Sequence, residues 1–175
     1  MRIMSFSLFW QKLFQDGLTT FRFPRWDQDW KINEDVQIYY KSRSRNRSYL
    51  GIARIVNVEK RWVIMPGDLI MIAGAIAENP EWDHVPIFSE AEAKEDGFED
   101  VQETFKGERF SMSRKMESAK QAMWLFLNNH HGNRIYQEPM NKISLRFHSK
   151  VIDPDNLPLE ILAKWKEANG EVIVH

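Results

Sequence analysis

Apolar residues in this sequence come in short bursts, and the length of those bursts limits the fold more than any other feature. Residues 2 to 7, Thr19 to Phe23, Val36 to Tyr40, Tyr49 to Val58 and Lys142 to His148 alternate apolar with polar residues or concentrate β-branched and aromatic ones. Such runs suit pleated strands with one face buried. Leu50, Ile52, Val56 and Val58 are predicted to share one face of their strand. Pro24 has no N–H to give to a ladder and should end the second strand. Between the strands lie brief helical stripes. Leu8, Phe9, Trp10, Leu13 and Phe14 form one that stops at Gly17. Ser89-Glu90-Ala91-Glu92 is a capping box, which predicts a helix from Ser89 to Asp96 closed by Gly97. Residues 113 to 129 carry Met116, Ala119, Met123, Phe126 and Leu127 on one stripe, with Gly132 just past the end. A last helix is predicted over Leu157 to Ala168, with Pro158 in its first turn and Gly170 beyond it. Residues 62 to 77 read equally as helix or buried strand. Strands interrupted by short helices give an α+β fold, not a doubly wound sheet.

At 175 residues the chain can bury a single core. Cysteine is absent, which excludes disulfides, thiolate zinc sites and a cysteine nucleophile. No cofactor or metal is expected. The apolar start soon reaches Lys12 and Asp16, too early for a secretory signal. The longest apolar run, Leu69 to Ala77, is roughly half of the ~20 residues a spanning helix needs. A soluble, cytoplasmic protein with no membrane partner is the expectation.

Lysine and arginine number 24 against 25 acids, so attraction to phosphates must come from local arrangement. Residues 41 to 54 carry Lys41, Arg43, Arg45, Arg47 and Arg54 with no acid among them, whereas residues 89 to 108 are rich in acids. In Lys41 to Ser48 cations alternate with small polar residues, so a hairpin tip would offer charge to a phosphate backbone. The alternative is a merely solvated tip. Tyr39, Tyr40 and Tyr49 flank this loop and could stack on unpaired bases, or pack the sheet. Trp26 and Trp30 lie in a polar loop after Arg25 and are either stacking plates or core fillers. His130-His131 invites a metal reading, but adjacent histidines at a helix end do not readily share one ion, and charge capping of the helix accounts for them better.

Several phrases, in order, resemble ASCH domains of the PUA-like group. They are Ile3-Met4-Ser5-Phe6-Ser7, the helix ending at Gly17, Thr19-Thr20-Phe21-Arg22, and Trp30 to Gln37. Leu50 to Ile55, Ser89 to Phe98 and Lys142 to Phe147 continue the series. The resemblance implies a PUA-like β-barrel with short helices around it over residues 1–148. Residues 149–175 would then form a C-terminal helical extension packed on the same domain.

It also implies a cleft where Thr20, Arg22 and Asp96 converge, and a nucleic-acid or nucleotide ligand, with RNA favoured. Some members are amidohydrolases of an acylated cytidine, and some are reported to cleave RNA. On that alternative Thr20 and Asp96 would be the catalytic residues. Gly17, however, stands where those enzymes carry the lysine that activates the threonine, which favours a binding protein. Asn33-Glu34-Asp35 likewise replaces the family's glycine before the aspartate. The ligand-binding set is Arg22, Lys41, Arg43, Arg45, Arg47, Tyr40 and Trp26. A protein-interaction role for residues 62 to 77 is a third reading, and the oligomeric state is left open.

Overall fold

A computed structural model describes residues 1–6, 11–45, 47–98, 118–151, 162–163 and 166. The fold is α+β, built on one curled five-stranded sheet. Its strands are β1 (Arg2–Phe6), β2 (Gly17–Arg22), β3 (Asp35–Tyr40), β4 (Ser48–Arg61) and β5 (Met140–Lys150), in the order β1-β3-β4-β5-β2. Among the described residues the helices with given bounds are α1 (Ala73–Glu78), α2 (Glu90–Glu95) and α3 (Ala119–His131), and 3-10 turns lie at Pro66–Ile72, Pro80–His84 and Gly132–Tyr136. Residues 62–77 resolve as an extended start, a 3-10 turn over Pro66–Ile72, and then α1. The stripe before Gly17 falls partly on residues 7–10, outside the described set; Gln11–Phe14 is a 3-10 turn, and Gly17 opens β2. The predicted C-terminal helix lies almost wholly outside the described residues, as does Met116. No helix among the described residues is long and apolar enough to cross a membrane.

The chain divides into two compact units. Residues 1–18, 31–57 and 144–175 form the first, residues 19–30 and 58–143 the second.

In the first unit β1 runs parallel to β3, and β3 runs antiparallel to β4. Met4, Phe6, Leu13, Val36, Ile38, Leu50, Ala53, Ile55 and Leu145 are buried there. Asn33 takes a left-handed φ of 67°, which asparagine tolerates far better than most residues, so it makes the turn that glycine would otherwise make. The face predicted for β4 needs correction. Leu50, Ala53 and Ile55 are buried, whereas Val56 is 47% exposed and Ile52 is half-buried. The reason is a β-bulge: Ile38 pairs with Gly51 but Tyr39 pairs with Tyr49, so Leu50 is an extra residue and the side-chain alternation slips by one. Gly51 has φ 139°, and a Cβ there would lie 2.0 Å from the Ser149 carbonyl oxygen.

The second unit packs its helices around Trp62, Phe88, Phe98, Met123 and Ile135, all nearly free of solvent. Each such side chain contributes about 2 kcal/mol of apolar burial. Trp62 meets Trp82 edge-on at 5.9 Å, and Ile64 and Ile72 complete that cluster.

The capping box forms as the sequence predicts. Ser89 Oγ accepts from the Glu92 amide at 3.1 Å, and the Glu92 carboxylate accepts from the Ser89 amide at 2.9 Å. α3 is capped twice. Ser118 Oγ accepts from the Gln121 amide, while both Glu90 carboxylate oxygens reach across from α2 to accept from the Ala119 and Lys120 amides at 2.9 Å. A helix's first N–H groups have no partner within it, and a carboxylate also suits the positive end of the dipole. Glu90→Ala should therefore destabilise the protein by about 1–2 kcal/mol. Hydrogen exchange should show the loss first at the amides of residues 119 and 120. Unchanged protection there would mean that the carboxylate adds nothing to the cap.

Candidate functional sites

In the first unit the β3–β4 connection forms a turn fixed by backbone bonds. The Lys41 amide donates to the Phe6 carbonyl and the Ser44 amide to the Lys41 carbonyl, both at 2.8 Å. The Ser42 amide donates to Ser5 Oγ at 3.0 Å, and Lys41 itself takes φ 47°. Lys41, Arg43, Arg45 and Arg47 are all exposed. Lys41 Nζ lies 5.2 Å from the Tyr40 ring centre, while Arg43, Arg45 and Arg47 make no ion pair among the described residues. Arg54 differs, because it is held by Asp35 at 2.8 Å. Tyr40 is only 5% exposed and belongs to the core; Tyr39 and Tyr49 pack on each other at 5.2 Å.

In the second unit the residues named for a cleft sit on β2 and at the end of α2. Thr20 and Asp96 are buried, at 4% and 6% exposure. The Arg22 side chain is half-buried, with its Nε shielded from solvent: this desolvation pulls its pKa below the usual value, and the Asp96 carboxylate opposes that pull. The structure thus brings Arg22 and Asp96 within electrostatic reach of each other. Trp26 projects from the loop after β2, 97% exposed, beside an Arg25–Asp27 ion pair of 2.9 Å. Trp30 turns inward instead, its Nε1 donating to the Phe23 carbonyl at 3.4 Å.

The sequence reading missed a polar network in this unit. Glu92 accepts from Arg61 Nε at 2.9 Å and from Lys142 Nζ at 3.1 Å, and Lys142 also reaches Glu95 at 3.1 Å. Arg61 further pairs with Glu59 at 3.0 Å. Burial works against the Glu92 charge, but the Ser89 amide, Lys142 and Arg61 outweigh it, so the carboxyl titrates below its usual 4.5. Burial likewise works against the Lys142 charge, and Glu95 and Glu92 overcome it, raising its pKa above 10.5. Such a carboxylate stays ionised at neutral pH and serves as a fixed anchor, not as a proton donor. Nearby, the buried Asn141 donates to Asp29 at 2.7 Å and accepts from Lys60 at 3.3 Å. One signal was available. A capping-box glutamate commits one oxygen to the backbone and leaves the other for a cation, and two polar residues at the head of an apolar strand, Asn141 and Lys142, needed partners. No family model matches the chain, and no curated protein or solved structure matches it either.

Proposed function

We propose that the protein is an ASCH-like, PUA-like domain that binds RNA, acts in the cytoplasm, and engages the phosphate backbone through the turn carrying Lys41, Arg43, Arg45 and Arg47. The observation that carries this reading is the exposure of three arginines that make no ion pair among the described residues, on a turn whose backbone is tied to β1. Unpaired surface cations are strongly hydrated and repel one another. A polyanion relieves the repulsion and releases its own counterions on binding. In a chain of net charge −1, such a local excess directs a polyanion to one place.

On this reading the half-buried Arg22 and the buried Asp96 belong to a second recognition element, for a single nucleotide. The fork of guanidinium donors suits a base carbonyl or phosphate, and Asp96 keeps it charged and oriented. Trp26, nearly wholly in solvent, is an available plate for an unpaired base. An enzyme acting on a modified nucleoside is the rival reading. The near-complete burial of Thr20 and the glycine at position 17 both weigh against it.

The test is binding of a single-stranded RNA across a salt series. Affinity should fall steeply as salt rises. Replacing Arg43, Arg45 and Arg47 by alanine should lower the slope of log affinity against log salt by about 2, since each phosphate contact on a single strand contributes about 0.7. An unchanged slope removes the turn from the interface. Turnover of an acylated nucleoside that vanishes in Thr20→Ala would replace the binding reading with the enzymatic one.

A further inference from the structure

We propose that His131 and Arg134, with the open space beside Gly132 between them, form an oxyanion site at the C-terminal end of α3 that takes a phosphate group. Both histidines there read from sequence as helix caps, but the structure separates them. His130 behaves as a cap: its Nδ1 lies 2.8 Å from the Phe126 carbonyl oxygen, one turn back, and its ring lies against Phe126 at 4.2 Å. His131 faces another way, edge to face with Phe23 at 4.9 Å, and its ring nitrogens have no hydrogen-bond partner among the described residues.

The Arg134 guanidinium lies over the same Phe23 ring, 4.2 Å from its centre. Two cation-capable groups are therefore held on one buried aromatic side chain. Arg134 Nε donates to Glu138, and Nη2 donates to the Pro24 carbonyl at 3.3 Å. The guanidinium has five N–H donors, and those on Nη1 are not engaged among the described residues. The Arg134 side chain is 46% exposed, so those donors can be reached. Between the two residues Gly132 has φ 56°, and no heavy atom lies within 4 Å of where a Cβ would stand. The backbone that links the two residues thus leaves open space at its middle position.

The charges around His131 fit the same reading. Burial lowers its pKa from 6.5, and His130, Arg134 and Arg22 lower it further. Glu138 is paired to Arg134, and Asp96 acts on Arg22; neither carboxylate appears among the groups acting on His131. A histidine serving as a cap at the negative end of a helix should have its pKa raised. This one is depressed, in a corner where positive groups face one another. An anion there turns repulsion into attraction and draws a proton onto His131. The helix dipole works against it, so side-chain donors must hold it. A phosphate group, with three accepting oxygens and up to two charges, satisfies an arginine fork and an imidazolium together. This site lies in the second unit, and the proposal stands whether or not the basic turn binds RNA.

The experiment follows the imidazole signals of the full-length chain by NMR, with His131 assigned through His131→Gln. Sodium phosphate is added against sodium chloride of equal ionic strength. Phosphate should move the His131 signals saturably and raise its pKa by about 1. Arg134→Gln, shown to be folded by circular dichroism, should weaken the response about tenfold. Arg134→Lys should restore part of it. Uridine 5′-monophosphate should reproduce the effect, and uridine should not. No saturable response, an equal response to chloride or to uridine, or full retention in Arg134→Gln would overturn the proposal.

Discussion

Replacing Gly51 by alanine should destabilise the protein by about 4 kcal/mol or more, the upper end of what a single substitution does. Two independent penalties act at this residue. Its φ of 139° lies in a region that side-chain-bearing residues rarely enter, and strain of that kind costs about 1–3 kcal/mol. In addition the new methyl would stand 2.0 Å from the Ser149 carbonyl oxygen and 2.9 Å from the Lys150 Cα. Both obstacles are backbone, so no side chain can swing aside, and β4 or β5 must move. Urea unfolding followed by circular dichroism would show the loss as a lower midpoint. A midpoint within experimental error of the wild type would mean that the strands do not approach each other so closely at the bulge.

Glu92→Ala is expected to have the next largest effect, about 3 kcal/mol. Arg61, Lys142 and Glu92 have side chains only 17%, 13% and 12% exposed. Removing the shared carboxylate leaves two largely desolvated cations, Arg61 with only Glu59 and Lys142 with only Glu95, which is worse than losing a surface pair. Loss of the Ser89 cap adds to this. The pH dependence separates the charge from the packing. Because the folded-state carboxyl titrates below its usual 4.5, its contribution is fully present above that value and drains away as pH falls through the lowered one. The raised Lys142 contributes below 10.5 and loses its contribution as pH rises through its folded value. Wild type should therefore lose more stability than Glu92→Gln between about pH 5 and pH 3. Parallel acid limbs for the two proteins would show that this carboxylate is not held by its cations.

Comparing Glu90, Glu92 and Gly51 shows what could be read in the sequence. The capping box at Ser89 was legible because both partners lie within one turn and their chemistry is local. α3 was legible for a similar reason: Ala119, Met123 and Leu127 return to one face at the helical period, and all three are buried. The partners of Glu92 were not legible. Arg61 and Lys142 come from distant parts of the chain, and only strand pairing decides that they meet. In β4 the period-two reading failed at one residue, and every side chain after it changed sides. The glycine inside that strand was the warning, since such a residue often marks a bulge. For the candidate site, the basic turn could be read because it is a run of neighbours. The burial of Tyr40 and the near-total exposure of Trp26 could not, because tyrosine and tryptophan serve equally in cores and at surfaces.

The sheet order has a consequence for how the chain acquires its structure. β5 is the last strand in sequence among the described residues, yet it lies between β4 and β2. During synthesis β2 is complete long before its neighbour exists, and β4 waits with one side bare until Met140–Lys150 leaves the ribosome. Closure of so long a loop is slow, and a bare strand edge can meanwhile recruit the wrong neighbour. Folding of this sheet is thus a late, nearly simultaneous event that depends on the arrival of one segment, and a ribosome stalled ahead of that segment would hold a sticky nascent chain.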